Sequence, residues 1–326
     1  MKRDTIIFGN GLGMSIDSNF FNLSNVIKSV WDEEGFLSDE HKKLILACMP
    51  DENIWKAESQ MIDIQLAINS CDQLKKIQSR EVHFLSNYGM EFPAYFNRFI
   101  SKVAYRLSDS KYKLNKDFIL PLIEHLRTTK SHIATLNYDS LLYYPFYESK
   151  LFDNYKGVLV DGFWFSGFHE SNMERRFGND FGYYLHLHGS PFFSDFKGGL
   201  PKKIPFDKRT LHSSLGDESN HLVLTHVNHK TQIIKKSSVL SVYWSKLISA
   251  IKESDRIILF GYSGEDSHLN KLIGAIHEQQ KLIVVEWNGL GNKFSRQAYW
   301  KEKLGEEKNI DIKMFDNIQK FQDWSS

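Results

Sequence analysis

Two short polar stretches follow apolar runs and carry side chains able to do chemistry. In TLNYD (135–139), Asn137 and Asp139 stand two apart, so both point to one side while the chain stays extended. In LHLHGS (185–190), His186 and His188 have the same spacing, and Gly189 breaks the strand behind them. Histidine is the usual general base near neutral pH. Asparagine can hydrogen-bond ribose hydroxyls or fix a water, and Asp139 can accept from a carboxamide. The plainer alternative for Asn137 and Asp139 is an Asx turn or a helix cap. A Ser-His-Asp site finds no Gly-x-Ser-x-Gly elbow. HLVLTHVNH adds His221, His226 and His229, but no zinc module with cysteine or carboxylate partners accompanies them. These histidines are therefore expected to be structural or solvated, and no metal is expected.

Glycine loops supply a second kind of chemistry. MKRDTIIFGNGLGMSID runs a strand, TIIFG, into Gly9, Gly11 and Gly13. A dinucleotide fingerprint needs its third glycine where Met14 stands, and its acidic residue should close a second strand about 20 positions on. Asp32, Glu33 and Glu34 follow no strand, and the phosphate-loop Gly-Lys-Ser/Thr ending is absent. The loop still lets backbone approach a ligand, and successive N–H groups can cradle an anion. Its alternative is a tight strand-to-helix turn. GYSGEDSHLN repeats the design, with Gly261 and Ser263 ahead of a helix starting near Asp266. Here the alternative is an ordinary N-cap by Asp266 or Ser267. VVEWN sets Glu286 and Asn288 at a further strand end, where ribose hydroxyls can be read. The aromatics of DGFWFSGF (161–168) suit a ring-stacking lid or, by preference, the core.

These residues need elements to position them. Short apolar strands are expected at 5–9, 132–140, 157–165, 183–190, 221–226, 256–261, 281–288 and 310–315. Between the first two, 19–130 reads as a helical insertion or cap. Phe96, Phe99, Ile100, Val103 and Leu107 share one face, as do Ile64, Ile68, Cys71 and Leu74. Pro121 is expected to kink or restart its helix. Helices are also expected over 238–254 and after Asp266. Strands alternating with helices predict a single α/β domain over 1–326, with a Rossmann-like, mostly parallel sheet. Ligands of such sheets bind beyond the carboxyl ends of the strands, so the four polar strand ends are expected to converge on one crevice.

Composition narrows the classes. The 326 residues are 41% hydrophobic and 25% charged, enough for a sizeable core. With 41 basic and 40 acidic residues the net charge is +1, which argues against generic nucleic-acid or polybasic membrane binding. No apolar run approaches a membrane span. Cys48 and Cys71 lie among apolar residues, which fits buried thiols in a reducing, cytoplasmic setting.

Taken together and in order, GNGLGMS, TLNYD, LHG, GYSGED and VVEWN resemble the sirtuin-like superfamily, across about 9–288. Sirtuins carry a zinc ribbon of four cysteines, and a glutamine where Leu136 stands; the serine of their glycine loop falls at Gly13 here, with Ser15 close by. Protein deacetylation is therefore not expected. The chain looks more like the bacterial antiphage branch and the related abortive-infection family with an N-terminal Gly-Asn-Gly, members of which bind NAD and often hydrolyse it. The resemblance implies Asn137 as the catalytic asparagine, His188 as the catalytic histidine and Asp139 facing nicotinamide. It implies Gly9, Asn10, Gly11, Gly13 and Met14 along the pyrophosphate, Gly261 and Ser263 on the phosphate and ribose side, and Glu286 and Asn288 at the adenosine. Asp266 and His268 match less closely. NAD would be the substrate, without a metal, and activation would involve a homo-oligomer or a partner defence protein. The alternatives are an NAD- or ADP-ribose-binding subunit without turnover, or hydrolysis of ATP or another nucleotide.

Overall fold

DTIIF is apolar apart from its first two residues and lies buried along its whole length as β1 (Asp4–Phe8). A computed structural model gives the structure of residues 2–49, 61–77, 83–108, 111–153, 156–176, 178–195, 199–205, 219, 221–225, 227–275 and 280–324. After β1 come α1 (Gly11–Met14), α2 (Leu23–Trp31), α3 (Asp39–Ala47), α4 (Ile62–Ile77), α5 (Asn87–Leu107), α6 (Lys116–Thr129), β2 (His132–Thr135) and α7 (Tyr143–Glu148). β3 (Leu159–Val160), β4 (Phe163–Trp164), β5 (Gly167–Phe168), β6 (Gly182–His186), β7 (Phe193–Ser194) and β8 (Lys202–Lys203) follow. The chain continues through α8 (Val227–Lys236), α9 (Ser238–Glu253), β9 (Arg256–Phe260), α10 (Ser267–Gly274), β10 (Lys281–Trp287), α11 (Lys293–Leu304) and β11 (Ile310–Phe315).

Seven strands form one parallel sheet in the order β11-β10-β9-β1-β2-β6-β3. The expected α/β, Rossmann-like fold is what the chain adopts. Side chains alternate across the sheet as a period of two demands. Ile6, Phe8, Ile133, Ile258, Phe260 and Val285 enter one core, and Ile7, Ala134, Leu185, Leu259 and Val284 enter the other. Both faces are covered, which is why the strands are nearly continuous apolar runs. The first core carries on into the helical stretch through Val26, Phe96, Phe99, Val103 and Phe118, so these helices share the sheet's own core. Succession moves from β1 outward to β2, β3 and β6, then returns to β9 on the other side of β1. That makes the β1–β9 junction the topological switch point, where a crevice opens.

Three local expectations are corrected. Pro121 does not restart its helix, for α6 is continuous from Lys116 to Thr129. Its start is fixed by Asn115, whose Oδ1 accepts from the Asp117 N–H at 3.0 Å, and buried Phe118, Leu122 and Ile123 hold both halves to the core. The segment 221–226 is no sheet strand: among its described residues only Leu222 makes a bridge, to Gly189. Its Val223 N–H donates to the His188 carbonyl (3.0 Å), so it props a loop rather than extending the sheet. The stretch 157–165 splits into β3 and an outlying hairpin, β4 with β5. His226 lies outside the described residues, as does 50–60 ahead of α4.

Candidate functional site

A cavity of about 880 Å³ opens at the switch point, beyond the carboxyl ends of β1, β2, β6 and β9. Gly9, Asn10, Gly11, Met14, Asn137, Asp139, His188, Gly261, Ser263, Asp266 and Glu286 all line it. The four polar strand ends therefore do converge. Gly13, His186, His268 and Asn288 stand apart from the lining. A Cβ on Gly13 would sit 2.6 Å from the Phe21 ring, so this glycine serves packing. Asn288 opens a short exposed 3-10 turn past β10 and is not part of the lining, although Trp287 before it and Leu290 in the same turn are.

The two glycine turns hold each other. The Gly9 N–H donates to the Phe260 carbonyl (2.9 Å), and the Gly11 N–H to that of Gly261 (2.8 Å). A Cβ on Gly9 would fall 2.6 Å from the Tyr262 Cα, and one on Gly11 2.7 Å from the Gly261 Cα. Gly261 itself takes φ +58°, a left-handed conformation natural to glycine. The Leu12 N–H is also used, on the Gly9 carbonyl (3.2 Å), so the loop offers fewer free donors than its sequence suggests. Asn10 spends its side-chain amide on the Phe21 carbonyl (2.9 Å).

Asn137 follows β2 directly and is buried. Its Nδ2 donates to the Gly9 carbonyl (3.1 Å), tying the two loops together, while Oδ1 is buried without a hydrogen-bond partner among the described residues. Such an orphaned acceptor is costly and marks a place where a ligand hydroxyl or a water is wanted. Asp139 is also buried, its Oδ1 accepting from the Leu141 N–H (3.0 Å). Burial pushes its carboxyl up to about 7, against the partial relief of hydrogen bonds from Leu141 and Asn137. The other lining carboxylates are each paired: Asp266 with Lys230, Glu265 with Lys303, Glu286 with Arg296 and Asp316 with Lys320. Among the described residues, Asp139 alone in the cavity has no cationic partner.

His188 lies past the end of β6, in a turn where Gly189 adopts φ +81°. A Cβ at 189 would strike the His221 carbonyl, so the turn requires glycine. The Nε2 of His188 is 2.9 Å from Asp266 Oδ2, which also accepts from Lys230 Nζ at 3.0 Å. Burial alone would raise the Asp266 carboxyl; hydrogen bonding and charge from His188 and Lys230 outweigh it and hold the group well below the usual carboxylate range. Asp266 is thus an anion to which His188 Nε2–H donates, and in the neutral form of the ring this places the lone pair on Nδ1. The other Asp266 oxygen caps α10, accepting from the N–H groups of His268 (3.1 Å) and Leu269 (3.0 Å). Asp266 is both the expected cap and the partner of the histidine. Lys230, buried on α8, escaped the sequence reading.

The remaining predicted groups take other roles. His186 faces a second, small cavity with Tyr143, Ser190 and Lys203, because β6 ends at His186 and the two-residue alternation stops there. Glu286 is held by the Arg296 fork (2.9 Å twice) and the Trp300 indole N–H (3.0 Å). His221 is buried between Ser237 (2.7 Å) and Asp195 (3.0 Å). His268 packs near Trp244. Of the 161–168 aromatics, Phe168 is core and Phe165 is fully exposed; none lines the large cavity. Cys48 and Cys71 are free, half-buried thiols that burial pushes up. Among the described residues no group of three or more His, Cys, Asp or Glu is placed to hold a metal ion, and no helix is long and apolar enough to cross a membrane. Compared with protein-family models and with curated proteins, the chain matches none.

Proposed function

We propose that the chain cleaves the N-glycosidic bond of NAD to give nicotinamide and ADP-ribose, as an effector of bacterial antiphage defence. The observation that carries the chemical part is the meeting, in one cavity beside the glycine turns, of an Asn137 oxygen and an Asp139 carboxyl that have no hydrogen-bond or cationic partner, respectively, among the described residues, and a histidine that Asp266 orients. The defence role rests on the motif resemblance.

The chemistry follows from these groups. The C1′–N1 bond breaks through an oxocarbenium-like state, nicotinamide leaving with the bonding electron pair. Asn137 Oδ1 accepts from a ribose hydroxyl or from the attacking water and so orients it. The water oxygen bonds to C1′, and His188 Nδ1 takes the water proton, which later passes to solvent. Asp139, once ionised, supplies negative charge that favours the cation developing on the ribose, in a cavity where the other carboxylates are already neutralised. Lys230 keeps Asp266 anionic, and Asp266 keeps His188 oriented.

Free nicotinamide followed by chromatography, with NAD and purified protein, tests this. General-base assistance contributes roughly 100- to 10,000-fold, so His188→Ala should lose about that much. Release that is unchanged in both His188→Ala and Asn137→Ala removes these residues from the chemistry.

A further inference from the structure

His188 and Ser190 stand two apart around the left-handed turn at Gly189, and they serve different cavities. His188 lines the large one, and Ser190 lines the small one with Tyr143, His186 and Lys203. Asp139 lines both, so this residue stands between them. The small cavity has a volume of about 10 Å³. One water needs roughly 10–15 Å³ and about two to four polar partners, so nothing larger than a single water fits.

Ser190 is only 4% exposed. Its Oγ accepts from the Phe192 N–H at 3.3 Å, and among the described residues its own O–H has no acceptor. A buried hydroxyl proton left in this way is costly. Asp139 has a matching need. Its Oδ1 accepts from the Leu141 N–H (3.0 Å), but a protonated carboxyl must also place its O–H, and an ionised one takes further donors. The charged neighbours are engaged elsewhere. On the large-cavity side, Glu265, Glu286 and Asp316 are each paired with a lysine or an arginine, and His188 and Lys230 both hold Asp266. On the small-cavity side, Lys203 bonds to Asp161 and to the Tyr143 hydroxyl, and His186 lies among the rings of Tyr143, Tyr184 and Phe193.

We infer that the small cavity holds one water molecule, hydrogen-bonded to both Ser190 Oγ and the Asp139 carboxyl. While Asp139 is protonated, the water accepts from the carboxyl O–H and from Ser190. Once Asp139 is ionised, the water still accepts from Ser190 and donates to the carboxylate. Ser190 is therefore a positioning residue: it fixes the water, and the water eases an ionisation that burial opposes. Because the water reaches Asp139 from outside the large cavity, a ligand bound there does not displace it. Only the catalytic consequence, that Ser190 helps set the pH at which nicotinamide release rises, rests on the N-glycosidic reading.

Infrared difference spectra of the full chain across pH follow Asp139 without turnover, through the carboxylic-acid C=O band that Asp139→Asn lacks. Ser190→Ala should shift the midpoint of that band up by about one pH unit, the scale of one lost hydrogen bond. Ser190→Thr keeps the hydroxyl and should titrate like wild type. A crystal structure of wild type should show one water within hydrogen-bond reach of Ser190 and Asp139. An unchanged midpoint in Ser190→Ala overturns the inference, as does a dry cavity or an ion in place of the water. Equal shifts in Ser190→Ala and Ser190→Thr also overturn it, since packing rather than the hydroxyl would then set the midpoint. If Ser190→Ala does not fold, the wild-type crystal structure decides alone. A water at Ser190 and a shifted midpoint, with no nicotinamide release by wild type, would keep the water site and reject the hydrolysis.

Discussion

The Nε2 atom of His188 lies 2.9 Å from Oδ2 of Asp266, a residue 78 positions later in the chain. The two come from separate strand ends, β6 and β9, and meet only because the sheet sets both beside β1 and β2. The same Asp266 oxygen holds Lys230, so one carboxylate links histidine, lysine and, through its other oxygen, the start of α10.

Asp266→Asn should therefore damage both stability and activity. It removes the anion from a buried pair, which costs about 3–5 kcal/mol when the partner charge is left behind, and it frees His188 to turn. Urea unfolding should show the loss, and nicotinamide release should fall at least about 100-fold. The double variant Asp266→Asn, Lys230→Met should recover part of the stability and none of the activity. Full recovery of release would show that Asp266 is only scaffolding.

Asp139 gives the fold a pH signature. An unfolded aspartate titrates near 4, whereas this carboxyl is pushed up to about 7 by burial. Between those values the folded chain keeps a proton that the unfolded chain has released. The contribution of this group to stability falls as pH rises from about 4 to about 7 and is level above that. Asp139→Asn should cancel that slope, adding up to roughly 4 kcal/mol at pH 8 and nothing at pH 4. Urea midpoints at the two pH values decide it, and parallel curves for variant and wild type would contradict the assignment.

Nicotinamide release should in turn rise as pH passes through about 7, because the ionised Asp139 is the form that favours the positive charge developing on the ribose as nicotinamide leaves neutral. The rise should be missing in Asp139→Asn. An identical pH–rate profile in the variant would place the titrating group elsewhere.

Gly11→Ala tests the joining of the glycine turns. The new methyl would lie 2.7 Å from both Cα and O of Gly261, against backbone that cannot swing aside. Forcing it in should cost about 1–3 kcal/mol and lower the thermal midpoint. A variant as stable as wild type would mean the β1 and β9 turns do not need this contact.

Much of this frame was legible in the sequence, for a physical reason: a strand buried on both faces is a short apolar run, and the polar residue after it is where backbone leaves the sheet. Asn137, Asp139 and His188 were found that way. His186 shares the spacing of His188 but not its cavity, because strict alternation holds only while the strand lasts, and β6 stops at that residue. Gly13 and Gly11 look alike in sequence; only the Phe21 ring against one and Gly261 against the other tells packing from the site. Lys230 was hidden in VNHKTQIIKK among lysines that belong on a helix surface. Its burial comes from Asp266, a partner no local pattern announces.

The central claim is that Asn137 and His188 break the nicotinamide bond. Nicotinamide release from NAD by wild type, Asn137→Ala and His188→Ala, with folding checked by circular dichroism, tests it most directly. Release by wild type and a loss of roughly 100-fold or more in each folded variant is the predicted result. Undiminished release from either folded variant would contradict it, as would wild type that binds NAD and releases none.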